Sequence, residues 1–171
     1  MTLLWAFAMA TMTIGPISGI AQVTTSAALP PGAPDVHIAT AQIRGVVVVR
    51  LKTGVDILAG LKEAVERQHI RNAVVLSGFG SVTGYHVHVV ENSAFPPKDA
   101  YIKARRPHDI VAASGYVIGG RVHAHMTFSD TKRAFGGHLE PGTTVFTFCT
   151  VTLGILDDDA AVSRIDDFTW R

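Results

Sequence analysis

The sequence predicts an α+β domain, with a mainly antiparallel sheet of about six or seven strands packed with one main helix. Three observations lead there. Only one stretch, residues 53–69, carries apolar residues at helical spacing. Everything after it alternates or runs in short β-branched segments separated by turn residues. Strand–helix alternation stops after one unit, and no glycine-rich phosphate fingerprint follows the first strand, which excludes a Rossmann fold.

The elements follow in order. RGVVVVRL (44–51) is β-branched and bounded by Gly45 and Gly54, the pattern of a strand covered on both faces. Thr53-Gly-Val-Asp56 has the form of a capping box that starts a helix reaching about His69. Ile57, Leu61 and Val65, with Leu58 alongside, form its apolar stripe, while Lys62, Glu63, Glu66 and Arg67 fall on the wet face. AVVLSGFG (73–80) reads as a strand ending in a glycine turn, and SVTGYHVHVVE (81–91) as the next. Residues 92–107 hold two adjacent prolines and mixed charge and read as an exposed loop. HDIVAASGYVI (108–118) and RVHAHMTFSD (121–130) flank Gly119-Gly120, a two-residue hairpin signal. TTVFTFCTVTLGIL (143–156) is a long strand, and AVSRIDDFTW (161–170) is expected to close the domain as another.

Length and composition set bounds. A chain of 171 residues favours one domain, large enough for a core without disulfide staples. The lone Cys149, inside VFTFCTV, allows no intrachain disulfide and reads as a buried, inert thiol. A formal net charge of +1 carries none of the basic excess of nucleic-acid-binding domains.

Residues 1–21 contain no Lys, Arg, Asp or Glu. Gly19 and Ala21 supply small residues for cleavage before Gln22, so this segment reads as a signal peptide and the protein as exported, periplasmic or secreted. A membrane anchor is the alternative; Gly15, Pro16 and Gly19 leave an apolar run of roughly 14 residues against the ~20 that span a bilayer. With the leader removed, no membrane association is expected. Residues 22–41, rich in small residues and proline, read as a flexible linker, and 42–171 as the domain.

Eight histidines are many for such a domain, and their placement is informative. His123 and His125 are two apart in a strand and so project from one face. His138 follows Gly136 and Gly137, which let a turn approach closely and bring it to the same spot. Three neutral imidazoles with an open position form a catalytic-type metal site, with Zn2+ the default and another divalent transition metal the alternative. His86 and His88 form a second pair that either lines the same cavity or sits on a solvated edge, the latter being the plainer reading. His37 and His69 read as structural. Asp109, Asp130 and Glu140 are the nearby carboxylates; Asp130 reads equally as a turn residue. Arg105 and Arg106 are the candidate anion-binding cations, with ordinary loop surface as the plainer reading.

The run GYVIGGRVHAHMTFSDTKRAFGGHLEPGTTVF resembles the signature of the plant and prokaryote conserved (PPC) domain, in which His-x-His, Ser-Asp and Gly-Gly-His-Leu recur in this order. RLKTGVDI (50–57) and SGFGSV (77–82) extend the resemblance over about residues 42–170. It implies an α+β fold, a homotrimer and, as in prokaryotic members, three histidines around a metal, here His123, His125 and His138. The implied fold is also similar to that of α-acetolactate decarboxylase, a zinc lyase. Family members usually carry Glu in the strand that here reads FTFCTV, near Thr150, and often at the position of Asp109. The Arg-Gly-Arg-Pro hooks of plant nuclear members do not occur, so no nucleic-acid partner is expected.

Together these readings point to a metal-dependent lyase or decarboxylase acting on a small oxygenated organic acid or carbonyl compound. Asp109 is then the candidate acid/base and Arg106 the candidate carboxylate anchor. The competing expectation is a non-catalytic trimeric metal- or ligand-binding module.

Overall fold

The computed structural model describes residues 32–170; the expected signal peptide (1–21) and the linker as far as residue 31 lie outside the described residues. Within 32–170 the elements are β1 (Ile43–Lys52), α1 (Ile57–Arg67), β2 (Ala73–Val90), β3 (Asp99–Ala104), β4 (His108–Ile118), β5 (Arg121–Ser129), β6 (Ala134–Leu139), β7 (Thr144–Leu156), the short α2 (Ala160–Ser163) and a 3-10 turn (Phe168–Trp170). The predicted α+β class, a mainly antiparallel sheet packed with one main helix, is what forms, and the sheet has seven strands.

Sheet order is β1-β7-β2-β4-β5-β6, with β3 on β2. β6 also returns to β2 through Val87↔Leu139 and His88↔His138. The strands β2, β4, β5 and β6 therefore close into a small ring. Phe128, Met126, Val87, Leu139 and Val82 are all at or below 1% exposure and belong to one buried cluster. Ile57, Leu58, Leu61 and Val65 seat α1 in that cluster, as the apolar stripe predicts.

Several local expectations change. The helix starts at Asp56 rather than Thr53: Asp56 Oδ1 accepts from Ala59 N–H at 2.9 Å, and the Thr53 hydroxyl donates instead to the Thr147 carbonyl at 3.1 Å. Residues 73–90 are one strand, not two. Gly80, at φ +144°, lets β2 bend against β7, where a Cβ would collide with the Phe148 carbonyl oxygen. The expected loop 92–107 contains β3, whose six residues pair with β2 along its second half. The C-terminal segment is helical rather than a strand, because Asp159 and Asp167 cap local turns through Ala161 N–H (2.6 Å) and Thr169 N–H (2.9 Å). Gly119 and Gly120 do form a two-residue hairpin, with φ of +57° and +77° and Ile118 paired to Arg121. Cys149 is fully buried, and burial raises its thiol pKa to about 11, which keeps it protonated and inert. No helix among the described residues is long and apolar enough to cross a membrane.

Asp56 has a second duty. Its Oδ2 accepts from Gly142 N–H at 2.6 Å, tying the start of α1 to the turn between β6 and β7. Asp56→Ala is expected to lower unfolding free energy by about 1–2 kcal/mol, the upper range for a lost cap. A urea titration of the two proteins, followed by circular dichroism, checks this.

Candidate metal centre

In β5, Ala124 and Met126 point into the core, so His123 and His125 project from the opposite face. Register then does the assembly. His138 on β6 lies opposite His125, and His88 on β2 lies opposite His138. Directly opposed residues share a face, so a row of imidazoles crosses three strands. Ring centroids are 5.5 Å apart for His123–His125, 4.8 Å for His123–His138 and 5.2 Å for His125–His138. One ring nitrogen from each of the three lies within 4.8 Å of the other two. Ligands held at about 2.0–2.1 Å on one tetrahedral ion sit roughly 3.3 Å apart, so small ring rotations close the set.

The Gly-Gly pair before His138 works as expected by close approach, though on a strand rather than a turn. A Cβ at Gly136 would meet the Met126 carbonyl oxygen, and one at Gly137 the His88 carbonyl oxygen. Glycine there is what allows β6 to lie between β5 and β2.

Two of the imidazoles in the row are oriented by carboxylates. His123 Nδ1–H donates to Asp166 Oδ1 at 3.0 Å, and Arg121 reaches within 4.0 Å of the same carboxylate. His88 Nδ1–H donates to Glu140 Oε1 at 2.7 Å. A histidine whose Nδ1–H is held this way offers Nε2 to an ion, the usual arrangement behind metal-bound imidazole. Burial, then the neighbouring imidazoles of His123, His88 and His125, lower the His138 pKa to about 4. Burial and the rings of His123 and His88 lower that of His125 as well. Rings that stay neutral keep their lone pairs for coordination, so this donor set suits zinc or a similar divalent transition metal.

A cavity of about 980 Å³ opens over His88, His123 and His138, with Asp99, Asp166 and Phe168 among its walls. The candidate acid/base and anion anchor do not reach it within the single chain. Asp109 pairs with Ser129, four residues beyond His125 along β5, or about 13 Å at ~3.3 Å per residue. It lines a separate hollow with His108 and Asp130. Asp130 caps a turn, accepting from Lys132 and Arg133 N–H groups. Arg106 is exposed in the link between β3 and β4, where its carbonyl accepts from His108.

His88 sits on the cavity wall and not on the solvated edge that was the plainer reading; its partner His86 is held at Nδ1 by the Pro141 carbonyl at 2.8 Å. The His-x-His spacing was the available signal, identical to that of His123 and His125. Asp166 had no such signal: it lies 43 residues from His123, in a segment whose pattern suggests a strand.

The molecule is thus a small domain built on a closed antiparallel ring, with a histidine cluster that could hold a metal ion. Residues 38–157, more than half of the chain, match the Plants and Prokaryotes Conserved (PCC) domain, and the chain belongs to that family. Among solved structures it resembles a metal-containing protein from Archaeoglobus fulgidus (TM-score 0.63, 21% identity, 71% of this chain and 86% of that one). It also resembles a plant- and prokaryote-conserved protein from Pyrococcus horikoshii (0.61, 17%, 71% and 85%). A third neighbour, suggested to bind DNA, comes from Bacteroides thetaiotaomicron (0.58, 14%, 68% and 82%). Identities this low establish the shared fold. Two curated relatives, both the bifunctional protein GlmU of Synechococcus strains, are 28% identical over 106 residues, 61% of this chain. The chain spans only 16% of their length.

The depressed His138 pKa has a thermodynamic consequence. Between pH 6.5 and about 4 the unfolded chain takes up a proton that the folded, metal-free protein refuses. The unfolded state then binds more protons, so stability is full above 6.5 and is lost as pH falls toward 4. Urea midpoints of the metal-free protein across this window are expected to drop with pH, and His138→Ala to flatten the slope.

Proposed function

We propose that this protein binds a divalent transition metal, zinc in the first instance, on His123, His125 and His138, and uses it in lyase-type chemistry on a small oxygenated organic acid or carbonyl compound. The observation that supports this most is the convergence of those three imidazoles, of which His123 and His138 line an accessible cavity. An ion held there supplies Lewis acidity toward a substrate carbonyl or carboxylate. The chain does the rest. Asp166 fixes the His123 ring, the two glycines place His138, and Phe168 gives the cavity an apolar wall. Arg121 lies over the Phe168 ring at 4.4 Å and lines the same cavity, so it replaces Arg106 as the cation best placed for a carboxylate. A metal-containing relative of the same fold from Archaeoglobus fulgidus adds to the reading. Export remains part of this proposal, carried by the apolar N-terminal segment.

Purified protein is expected to hold at least about one equivalent of Zn2+, Mn2+, Fe2+ or Ni2+ per chain, and less than about 0.3 would refute the reading. Asp166→Ala is expected to weaken zinc about 10–100-fold without unfolding the chain, read by competition with a chromophoric chelator. Metal-dependent cleavage or decarboxylation of a panel of 2-keto and 3-hydroxy acids, lost in His138→Ala, distinguishes the enzyme from a non-catalytic binding module.

We also propose assembly as a homotrimer. Support comes from the open face of the sheet, where Val46, Val48, Phe79, Val111 and Phe146 are each about half exposed or more. Aliphatic and aromatic side chains spread over one sheet face are what a subunit contact covers. Light scattering is expected to give three times the chain mass, and Val48→Asp with Phe79→Asp to give the monomer.

A further inference from the structure

Asp166, which fixes the His123 ring, is carried by C-terminal turns that a segment from the other end of the chain grips. We propose that His37 is a positioning residue for the histidine cluster, acting on His123 through Asp166. Residues 36–42, most of which read in the sequence as linker, then belong to the site as a strap that holds those turns in place. His37 and Asp166 both lie outside the family match at 38–157. Only the expected effect on zinc rests on the metal-site reading; the effect on His123 does not.

From Ala161 to Trp170 the backbone runs in successive tight turns. Arg164 N–H donates to the Ala161 carbonyl at 3.2 Å, and Ile165 N–H to that of Val162 at 3.1 Å. Asp167 N–H donates to the Arg164 carbonyl at 3.2 Å, and Trp170 N–H to that of Asp167 at 3.1 Å. Asp166 sits in the middle of this run. His37 touches both of its ends: Nε2–H donates to the Ala161 carbonyl at 2.8 Å, and the ring meets Trp170 edge-on at 5.1 Å. Arg164 joins the same contact, lying 4.3 Å over the Trp170 ring and pairing with Asp167 at 2.9 Å. Further along the strap, Gln42 N–H donates to Asp157 Oδ1 at 3.2 Å, just ahead of the turns.

The hydrogen bond at stake is sensitive to small movements. Asp166 Oδ1 stands 3.0 Å from His123 Nδ1, and a shift of the turns by about 1 Å is enough to lose the bond. Histidine suits position 37, because one ring offers both a directional N–H donor and an aromatic face. Two other contacts steady the segment: Val162 has no exposed surface, and Arg121 Nη2 donates to the Asp166 carbonyl at 3.4 Å. With those intact, loss of His37 loosens the turns without detaching them, so its effect is a fraction of that of losing Asp166. His37 is exposed and outside the buried cluster, so its replacement leaves the core packing alone.

The first measurement needs no metal. Ring-nitrogen NMR signals of His123 are recorded in the metal-free full chain with isotope-labelled histidine, and assigned by their loss in His123→Ala. His37→Ala is expected to move them toward their positions in Asp166→Ala. His37→Gln keeps an amide N–H for the Ala161 carbonyl and is expected to restore part of the shift. Signals that stay at their wild-type positions in His37→Ala overturn the proposal. The second measurement is zinc affinity, read by chelator competition in a double-mutant cycle. His37→Ala is expected to weaken zinc about 3–10-fold in the wild-type background, the span of one net hydrogen bond, and not at all beside Asp166→Ala. An equal loss in both backgrounds reports general loosening of the fold and overturns the proposal. Trp170→Ala removes the other contact of the His37 ring and is expected to repeat the pattern; it carries the test if His37→Ala fails to fold by circular dichroism. Should wild type take up no zinc, the metal-site reading fails, and the NMR signals alone decide whether His37 positions His123.

Discussion

Much of this architecture depends on one short contact, the return of β6 to β2 at Val87↔Leu139 and His88↔His138. It converts an open sheet into a ring, and it does so with two residue pairs that face opposite ways. Val87 and Leu139 turn inward and are buried at 0% and 1% exposure. Their neighbours, His88 and His138, must then turn outward, because successive strand residues alternate. Burial of the aliphatic pair therefore fixes where the imidazoles stand. A one-residue slip would put histidine in the core and leucine on the cavity wall, and the hydrophobic term penalises both. The site and the closure of the fold are two faces of one register.

The fold was largely legible because periodicity reports burial. The stripe Ile57, Leu61, Val65 and the alternation in RVHAHMTF translate directly into a buried helix face and a two-faced strand. The histidine cluster was legible to the same degree, since His123 and His125 owe their common face to spacing alone. What escaped depends on pairings between distant segments. β3 hides in a proline-marked loop because its partner, the second half of β2, supplies the order. Gly80 resembles a turn residue and serves instead as a point of close approach within one long strand. Asp109 seemed near the site because its strand hairpins into that of the histidines. Antiparallel register carries it to the far end, opposite Ser129. Asp166 arrives from a helical tail whose local caps no hydrophobic pattern reveals.

The electrostatic design of the cluster follows from crowding. Imidazoles packed within 4.5–5.5 Å of one another repel once protonated, and partial burial adds to the penalty. The result is lowered pKa values at His125 and His138, beside rings backed by anions: Asp166 behind His123 and Glu140 behind His88. Each carboxylate selects the tautomer that leaves Nε2 outward. Coordination chemistry asks for neutral imidazole, which is the state that the lowered pKa values of His125 and His138 favour.

The C-terminal segment gives this arrangement a modular character. The family match ends at residue 157, yet Asp166 and Phe168 lie beyond it and reach back to the cavity. Val162, with no exposed surface, anchors that segment to the body. His88, His123, His125 and His138 thus lie within the family match, whereas the carboxylate that orients His123 lies outside it. Removing residues 158–170 would therefore leave every histidine of the cluster in place and take away the side chain that fixes the His123 ring.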